Sequence, residues 1–262
     1  MSKLRALLFD VDGTLADTER FGHRVAFNQA FAEAGLDWHW DEALYQRLLA
    51  VTGGKERMKY YIEEFRQDLV LSQDLQDRIP ELHRVKTEKY KTLLAGGAIP
   101  LRPGVRRLLQ SARSAGLRLA IATTTTPENV TELLRNTLGE SSIEWFEVIA
   151  AGDVVAEKKP APDIYLWAME RLALAADECL AVEDSHNGAE SALRAGIRAL
   201  LITVNGYTEN EVFPDNALVL DHLGEVDLPC RVLQGEMGGE RIVTLPLLSN
   251  LHADAMLSQS NC

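Results

Sequence analysis

Apolar residues follow two different rhythms along this chain. The first run, Leu4-Arg5-Ala6-Leu7-Leu8-Phe9, is short and almost continuously apolar, and it ends in Asp10-Val11-Asp12-Gly13. Such a run, bounded by a polar turn, predicts a buried parallel strand. From about residue 16 to 97 the apolar positions recur at helical spacing instead. Val25, Phe27, Ala30, Phe31 and Ala34 form one stripe, with Gly35 placed as its C-terminal cap. A second helix follows Asp41 and carries Leu44, Leu48 and Leu49; further helical patterns follow Gly54 and cover about Leu75 to Leu94. Alternating strand patterns are absent, so the stretch reads as an all-helical insert. Gly96-Gly97, Pro100 and Pro103 close it with residues suited to a hinge.

Beyond Pro103 strands and helices alternate. A helix over Pro103–Ala115, stopped by Gly116, precedes the strand Leu117–Ala122. A helix after Pro127 stops at Gly139, and Phe146–Ile149 is the next strand. Pro162 opens a helix, Leu180–Val182 is a strand, a helix runs from about Asn187 to Gly196, and Ala199–Ile202 is a strand. Units of this length predict a mostly parallel sheet with right-handed crossovers. Past Gly224 the pattern weakens. Cys230–Gly239 reads as loop, Arg241-Ile242-Val243 as a short strand, and Thr244 as the cap of a last helix with Pro246 in its first turn.

The chain's 262 residues suffice for one large domain, or for a core domain plus a smaller insert. Its apolar share of 46% and charged share of 25% exclude a disordered chain, a collagen-like fibre and a disulfide-rich miniprotein. No apolar run approaches the about 18 residues of a membrane span. The net charge of −12 argues against nucleic acid as main partner, yet a few local cations can still hold a small anion. Cys179, Cys230 and Cys262 form neither a metal pattern nor a disulfide framework. The N-terminal apolar stretch is too short for a secretory signal. A cytosol-like compartment, or an organelle stroma in a eukaryote, is expected, with a monomer as the default assembly.

Parallel sheets bind ligands beyond the carboxyl ends of their strands. Four polar clusters fall there: Asp10-Val11-Asp12-Gly13-Thr14, Thr123-Thr124-Thr125-Thr126, Glu157-Lys158-Lys159-Pro160 and Glu183-Asp184-Ser185. Asp10 and Asp12 share a face if the extended geometry persists, and paired carboxylates need a cation or a shared proton. Asp184 would complete an all-oxygen site that suits Mg2+. By itself Asp-X-Asp-Gly is equally a turn with side-chain-to-backbone bonds. The Thr123 hydroxyl and the following N–H groups, from Thr124 on, can hold phosphate oxygens; the threonines are also natural caps for the helix at Pro127. Lys159 offers a point charge to a phosphoryl oxygen. Gly53-Gly54-Lys55-Glu56 lacks the P-loop frame, and neither a dinucleotide fingerprint nor a nucleophile elbow is present.

Taken in order, Asp10-Val11-Asp12-Gly13-Thr14, Thr123, Lys159-Pro160 and Glu183-Asp184 resemble the four motifs of the haloacid dehalogenase-like phosphatases. Asp17-Thr18-Glu19, Gly22-His23-Arg24, Phe27-Asn28, Trp40-Asp41, Thr52-Gly53-Gly54-Lys55-Glu56-Arg57 and Val182-Glu183-Asp184-Ser185-His186-Asn187-Gly188 are similar, more narrowly, to the CbbY phosphatases. The resemblance implies an α/β fold: a Rossmann-like parallel-sheet core, residues 1–15 and 99–224, with an inserted all-helical cap domain, residues 16–98, and a tail, 225–262. It also implies a Calvin-cycle enzyme that removes the 1-phosphate of xylulose 1,5-bisphosphate, a product of Rubisco misfire.

In that scheme Asp10 is the nucleophile and Asp12 the general acid/base. Asp10, the backbone carbonyl of Asp12, and Asp184 hold Mg2+, with Glu183 supporting the metal's water shell. Thr123, Thr124 and Lys159 hold the phosphoryl oxygens. A bisphosphate needs its second phosphate held in the cap, where Gly53, Gly54 and Lys55 offer N–H groups and a cation, and Asp17 and His23 reach sugar hydroxyls. His23 reads equally as a helix-surface residue, Arg57 as a solvated arginine, and Trp38-His39-Trp40 as cap packing. The same motifs suit a phosphomutase resembling β-phosphoglucomutase, a phosphoglycolate-type phosphatase, or a non-catalytic regulatory module.

Overall fold

A computed structural model describes residues 3–66, 68–69 and 73–257; Cys262 lies outside them. The chain divides into two compact units, Met1–Asp17 with Pro100–Cys262, and Thr18–Ile99.

The first unit is built on a seven-stranded sheet. Its strands are β1 (Ala6–Phe9), β2 (Arg118–Ala122), β3 (Val148–Ala150), β4 (Cys179–Glu183), β5 (Ala199–Thr203), β6 (Leu218–Leu220) and β7 (Val232–Gln234), in the order β3-β2-β1-β4-β5-β6-β7. The first six run parallel, and β7 pairs antiparallel with β6. β1, β4 and β5 are buried at every position. Helices cover both faces, which is why these strands read as unbroken apolar runs. Each fully buried Leu, Ile or Phe contributes about 1.5–3 kcal/mol relative to exposure.

The crossover helices follow their local signals. They are α5 (Val105–Ser114), α6 (Pro127–Leu138), α7 (Asp163–Leu172) and α8 (His186–Arg194), numbered after the four helices of the second unit. On α5 the buried positions are Val105, Leu108, Leu109 and Ala112, the inward stripe of an amphipathic helix. On α8 the Ser185 hydroxyl accepts from Gly188 N at 3.2 Å and caps the first turn.

Two readings beyond Gly224 need correction. The segment taken as loop contains β7, and Arg241-Ile242-Val243 forms no strand. β7 is three residues long, and Val232 and Leu233 are exposed on it, so no inward-outward alternation marks it. The Arg241–Val243 backbone is spent on single bonds: Cys230 N donates to Arg241 O at 3.0 Å and Val243 N to Leu223 O at 2.8 Å. The last helix, α9 (Leu245–Leu257), packs on β4, β5 and α5, and Leu247 N donates to the Thr244 hydroxyl at 3.3 Å. β6 carries no separate signal in the sequence, because a three-residue strand is too short to show a period.

The second unit is helical: α1 (Arg24–Glu33), α2 (Glu42–Leu48), α3 (Gly54–Phe65) and α4 (Gln73–Ala95), with a π-helical turn at Glu19–His23 leading into α1. An aromatic cluster forms its centre. Trp40 is fully buried, with ring centroids 4.6 Å from Phe27, 4.9 Å from Phe31 and 5.4 Å from Tyr61. Asn28 clamps the Trp40 backbone, donating to its carbonyl at 2.9 Å and accepting from its N–H at 2.8 Å. Trp38 is buried and His39 exposed.

Candidate active site

The strand order changes direction at β1: β2 and β3 lie on one side, β4 to β7 on the other. Open parallel sheets offer their crevice at such a point. Register aligns the polar clusters across it. Phe9 pairs with Ile121 of β2 and with Val182 of β4, so the residues after them emerge side by side. Asp10 N donates to Val182 O at 3.0 Å and Thr123 N to Ala150 O at 2.9 Å, which carries the ladder to the edge of the site.

Asp10 is buried, and Lys159 Nζ donates to its Oδ1 at 2.7 Å and to Glu183 Oε1 at 2.6 Å. Tyr165 on α7 donates its hydroxyl to the same Glu183 oxygen at 2.5 Å. Asn205, just past β5, donates to Asp184 Oδ2 at 2.6 Å. Oxygens of Asp10, Glu183 and Asp184 all lie within 4.8 Å of one another, and the three residues are buried. The glycine of Asp-X-Asp-Gly is required here. Gly13 has φ +88°, and a Cβ on it would come within 2.2 Å of Asp184 Oδ2.

Three buried carboxylates, two of them bonded to one ammonium, perturb one another. Burial raises the Asp10 carboxyl to about 8; the charges of Glu183 and Asp12 add to the rise and Lys159 opposes it. Asp184 is also raised, by burial first and then by Asp10 and Glu183, against the pull of Arg102. Burial works against the Lys159 charge, but the Asp10 and Glu183 carboxylates outweigh it and hold the ammonium above the ordinary lysine range. A divalent cation among these hard oxygen donors would relieve the same repulsion, so the donor set fits such an ion.

Asp12 is half-buried and forms an isolated parallel bridge with Ala16, which bridges Leu101 in turn. Thr123 is buried, and its hydroxyl accepts a 3.4 Å bond from Thr125 N; Thr124 is half-buried. Thr126 stands before α6, yet its hydroxyl is not used as a cap. Asp17 is half-buried and falls in the sheet-containing unit. Gly53 precedes α3 with φ +99°, Gly54 is the first residue of α3, and Lys55 is exposed in its first turn. The Glu56 carboxylate lies where a Gly53 Cβ would be, 2.2 Å from that position.

Two expectations change. His23 is not a surface histidine: it is 4% exposed, stacks on Tyr90 with centroids 4.3 Å apart, and has Nδ1 2.7 Å from Lys86 Nζ. Arg57 is not solvated: it is 6% exposed and donates to the Tyr45 hydroxyl at 2.7 Å and to Glu19 at 3.4 Å. Its position in a charged segment hid an inward face that only the packing of α2 and α3 creates. Glu183, expected to support the metal's water shell, also brings a carboxylate oxygen within 4.8 Å of those of Asp10 and Asp184, with Asp184 just beyond the end of β4.

Sequence reading missed Asn205, Tyr165 and Arg102. Asn205 follows a strand and was open to the strand-end rule. Tyr165 looks like a core aromatic. Arg102 lies in the linker, where its half-buried side chain donates to the backbone carbonyls of Gly13, Thr203, Val204 and Asp221.

The chain matches the haloacid dehalogenase-like hydrolases over residues 4–196. It is 48% identical to plasmid-encoded CbbY of Cupriavidus necator over 222 residues, 85% of this chain and 87% of that protein. It is 49% identical to CbbY of Rhodobacter capsulatus over 211 residues, 80% and 90% of the two chains. A crystal structure of a CbbY variant from Rhodobacter sphaeroides in complex with xylulose 1,5-bisphosphate matches with a TM-score of 0.78 at 45% identity, covering 86% of this chain and 98% of that one. Among the described residues no helix is long and apolar enough to cross a membrane.

Proposed function

Since the chain belongs to the haloacid dehalogenase-like hydrolases, and within them to the CbbY proteins, we propose that it is a Mg2+-dependent phosphatase that removes the 1-phosphate of xylulose 1,5-bisphosphate. The observation that carries this reading is the buried Asp10 at the end of the central strand, held by Lys159, with two more carboxylates within 4.8 Å. The xylulose 1,5-bisphosphate complex of the Rhodobacter sphaeroides relative supports the substrate.

Asp10, Asp184 and the Asp12 carbonyl would hold Mg2+. When bound, the ion offsets the repulsion between an anionic nucleophile and an anionic phosphate. Asp10 then attacks phosphorus, forming an aspartyl-phosphate as the bond to the sugar oxygen breaks. Asp12 gives its proton to that oxygen, and next takes a proton from the water that attacks the aspartyl-phosphate. Asp10 is released as carboxylate with inorganic phosphate. Lys159, the Thr123 hydroxyl and the N–H groups from Thr124 onward hold the remaining phosphoryl oxygens.

In the helical unit, the N-terminus of α3 at Gly53 and Gly54 and the exposed Lys55 take the second phosphate and His23 serves a sugar hydroxyl, as does Asp17 of the sheet-containing unit.

The test is Mg2+-dependent phosphate release from xylulose 1,5-bisphosphate, with ribulose 1,5-bisphosphate and β-glucose 1-phosphate run beside it. The expected result is fast release from the xylulose compound alone, lost by at least about 10³-fold in Asp10→Asn. No release from it, with turnover of another phosphoester, would refute the substrate.

A further inference from the structure

Lys159 has three N–H donors. One bonds Asp10 Oδ1 at 2.7 Å and one bonds Glu183 Oε1 at 2.6 Å, which leaves one for a phosphoryl oxygen. What keeps the ammonium between its two carboxylates is the seat of Glu183. That side chain is fully buried. Its carboxylate is wedged against α8, where a Cβ on Gly188 would come within 2.0–2.5 Å of its atoms. Asp184 N reaches Oε2 at 3.4 Å. On the other side, the Tyr165 hydroxyl donates to Oε1 at 2.5 Å, to the same oxygen that Lys159 uses.

Tyr165 belongs to the apolar cluster that α7 builds under the sheet, and packing alone would be served as well by phenylalanine. Its ring centroid is 5.3 Å from Lys159 Nζ, so ring and hydroxyl flank the ammonium and its acceptor together. Lys159 and Tyr165 come from one stretch of chain, the loop into α7 and the first turn of that helix.

We propose that Tyr165 is a positioning residue for Lys159. By donating to Oε1 it occupies one of the two lone pairs of that oxygen. Glu183 therefore takes a single bond from the ammonium, and the lysine stays in reach of Asp10 and of a phosphoryl oxygen. Without the hydroxyl, the open lone pair draws the ammonium toward Glu183 and away from Asp10. This role rests on the reading of Lys159 as a phosphate-holding residue.

The experiment compares wild type, Tyr165→Phe, Glu183→Gln and the double variant by three readouts. These are thermal unfolding, affinity for inorganic phosphate by calorimetry, and Mg2+-dependent kinetics on p-nitrophenyl phosphate and xylulose 1,5-bisphosphate. Tyr165→Phe is expected to melt within a few degrees of wild type, to bind phosphate about ten-fold more weakly, and to lose about ten-fold in kcat/KM on whichever ester wild type turns over. The double variant is expected to lose no more than Glu183→Gln, because the hydroxyl acts through that carboxylate. Phosphate affinity within two-fold of wild type in Tyr165→Phe overturns the proposal. Losses that multiply in the double variant, or a large drop in melting temperature, do so as well, by making the role one of packing. Turnover of p-nitrophenyl phosphate without turnover of the bisphosphate sinks the substrate reading alone, and phosphate affinity still decides the role of Tyr165.

Discussion

Replacing Gly13 by alanine separates backbone strain from a direct push on a candidate metal ligand. The new Cβ would stand 2.2 Å from Asp184 Oδ2, 2.6 Å from Asn205 Nδ2 and 2.9 Å from Asp184 Cγ. Ordinary contact needs about 3.4–3.5 Å, so the carboxylate has to retreat by about 1 Å. It cannot retreat freely, because Asn205 already holds Oδ2 at 2.6 Å. The φ of +88° adds about 1–2 kcal/mol of strain for any residue with a Cβ. A misplacement of about 1 Å in a reacting constellation costs about 10²-fold in rate. Gly116 supplies the control: φ is +75°, and nothing lies within 4 Å of its would-be Cβ. Both variants are expected to lose about 1–2 kcal/mol in urea unfolding. Only Gly13→Ala is expected to lose about 100-fold in Mg2+-dependent phosphate release, together with weaker Mg2+ binding by calorimetry. Equal activity in the two variants would refute the argument that Gly13 sets the position of Asp184.

Three further outcomes are expected. Arg102→Met leaves the carbonyls of Gly13, Thr203, Val204 and Asp221 without their shared donor, and should cost about 3–5 kcal/mol in urea unfolding, a loss below about 1 kcal/mol being evidence against this role. Lys55→Ala removes an exposed cation from the first turn of α3, and the ratio of KM for the bisphosphate to KM for p-nitrophenyl phosphate should rise about ten-fold; an unchanged ratio would place the second phosphate elsewhere. Burial pushes the Cys179 thiol up to about 12, so the folded chain keeps that proton above pH 9 while the unfolded chain releases it. Native Cys179 should therefore resist iodoacetamide at pH 8.5 and react once unfolded, and stability should fall as pH rises from about 9 to 12; rapid native labelling would contradict its burial.

Much of this protein was legible in the order of its residues. Apolar period distinguishes strand from helix locally, and parallel crossovers send every strand's carboxyl end to one edge. The Asp10, Thr123, Lys159 and Asp184 clusters could therefore be assigned to a common edge before any distance was known. The linear pattern could not tell which side chains turn inward once helices pack. Arg57 and His23 look like surface residues in a polar stretch, and are buried because Tyr45, Glu19, Tyr90 and Lys86 arrive from other helices. β6 and β7 are three residues each, too short to carry a period, and exist because the preceding strand offers an edge to pair with. The ammonium of Lys159 was visible as a charge; its division between Asp10 and Glu183, and the hydroxyl of Tyr165 beside it, arise only where β1, β4 and α7 meet. Local chemistry follows from residue order, because propensity and period act over a few residues. Burial, charge pairing and the seat of each carboxylate depend on neighbours distant in the chain, and tertiary structure alone supplies those.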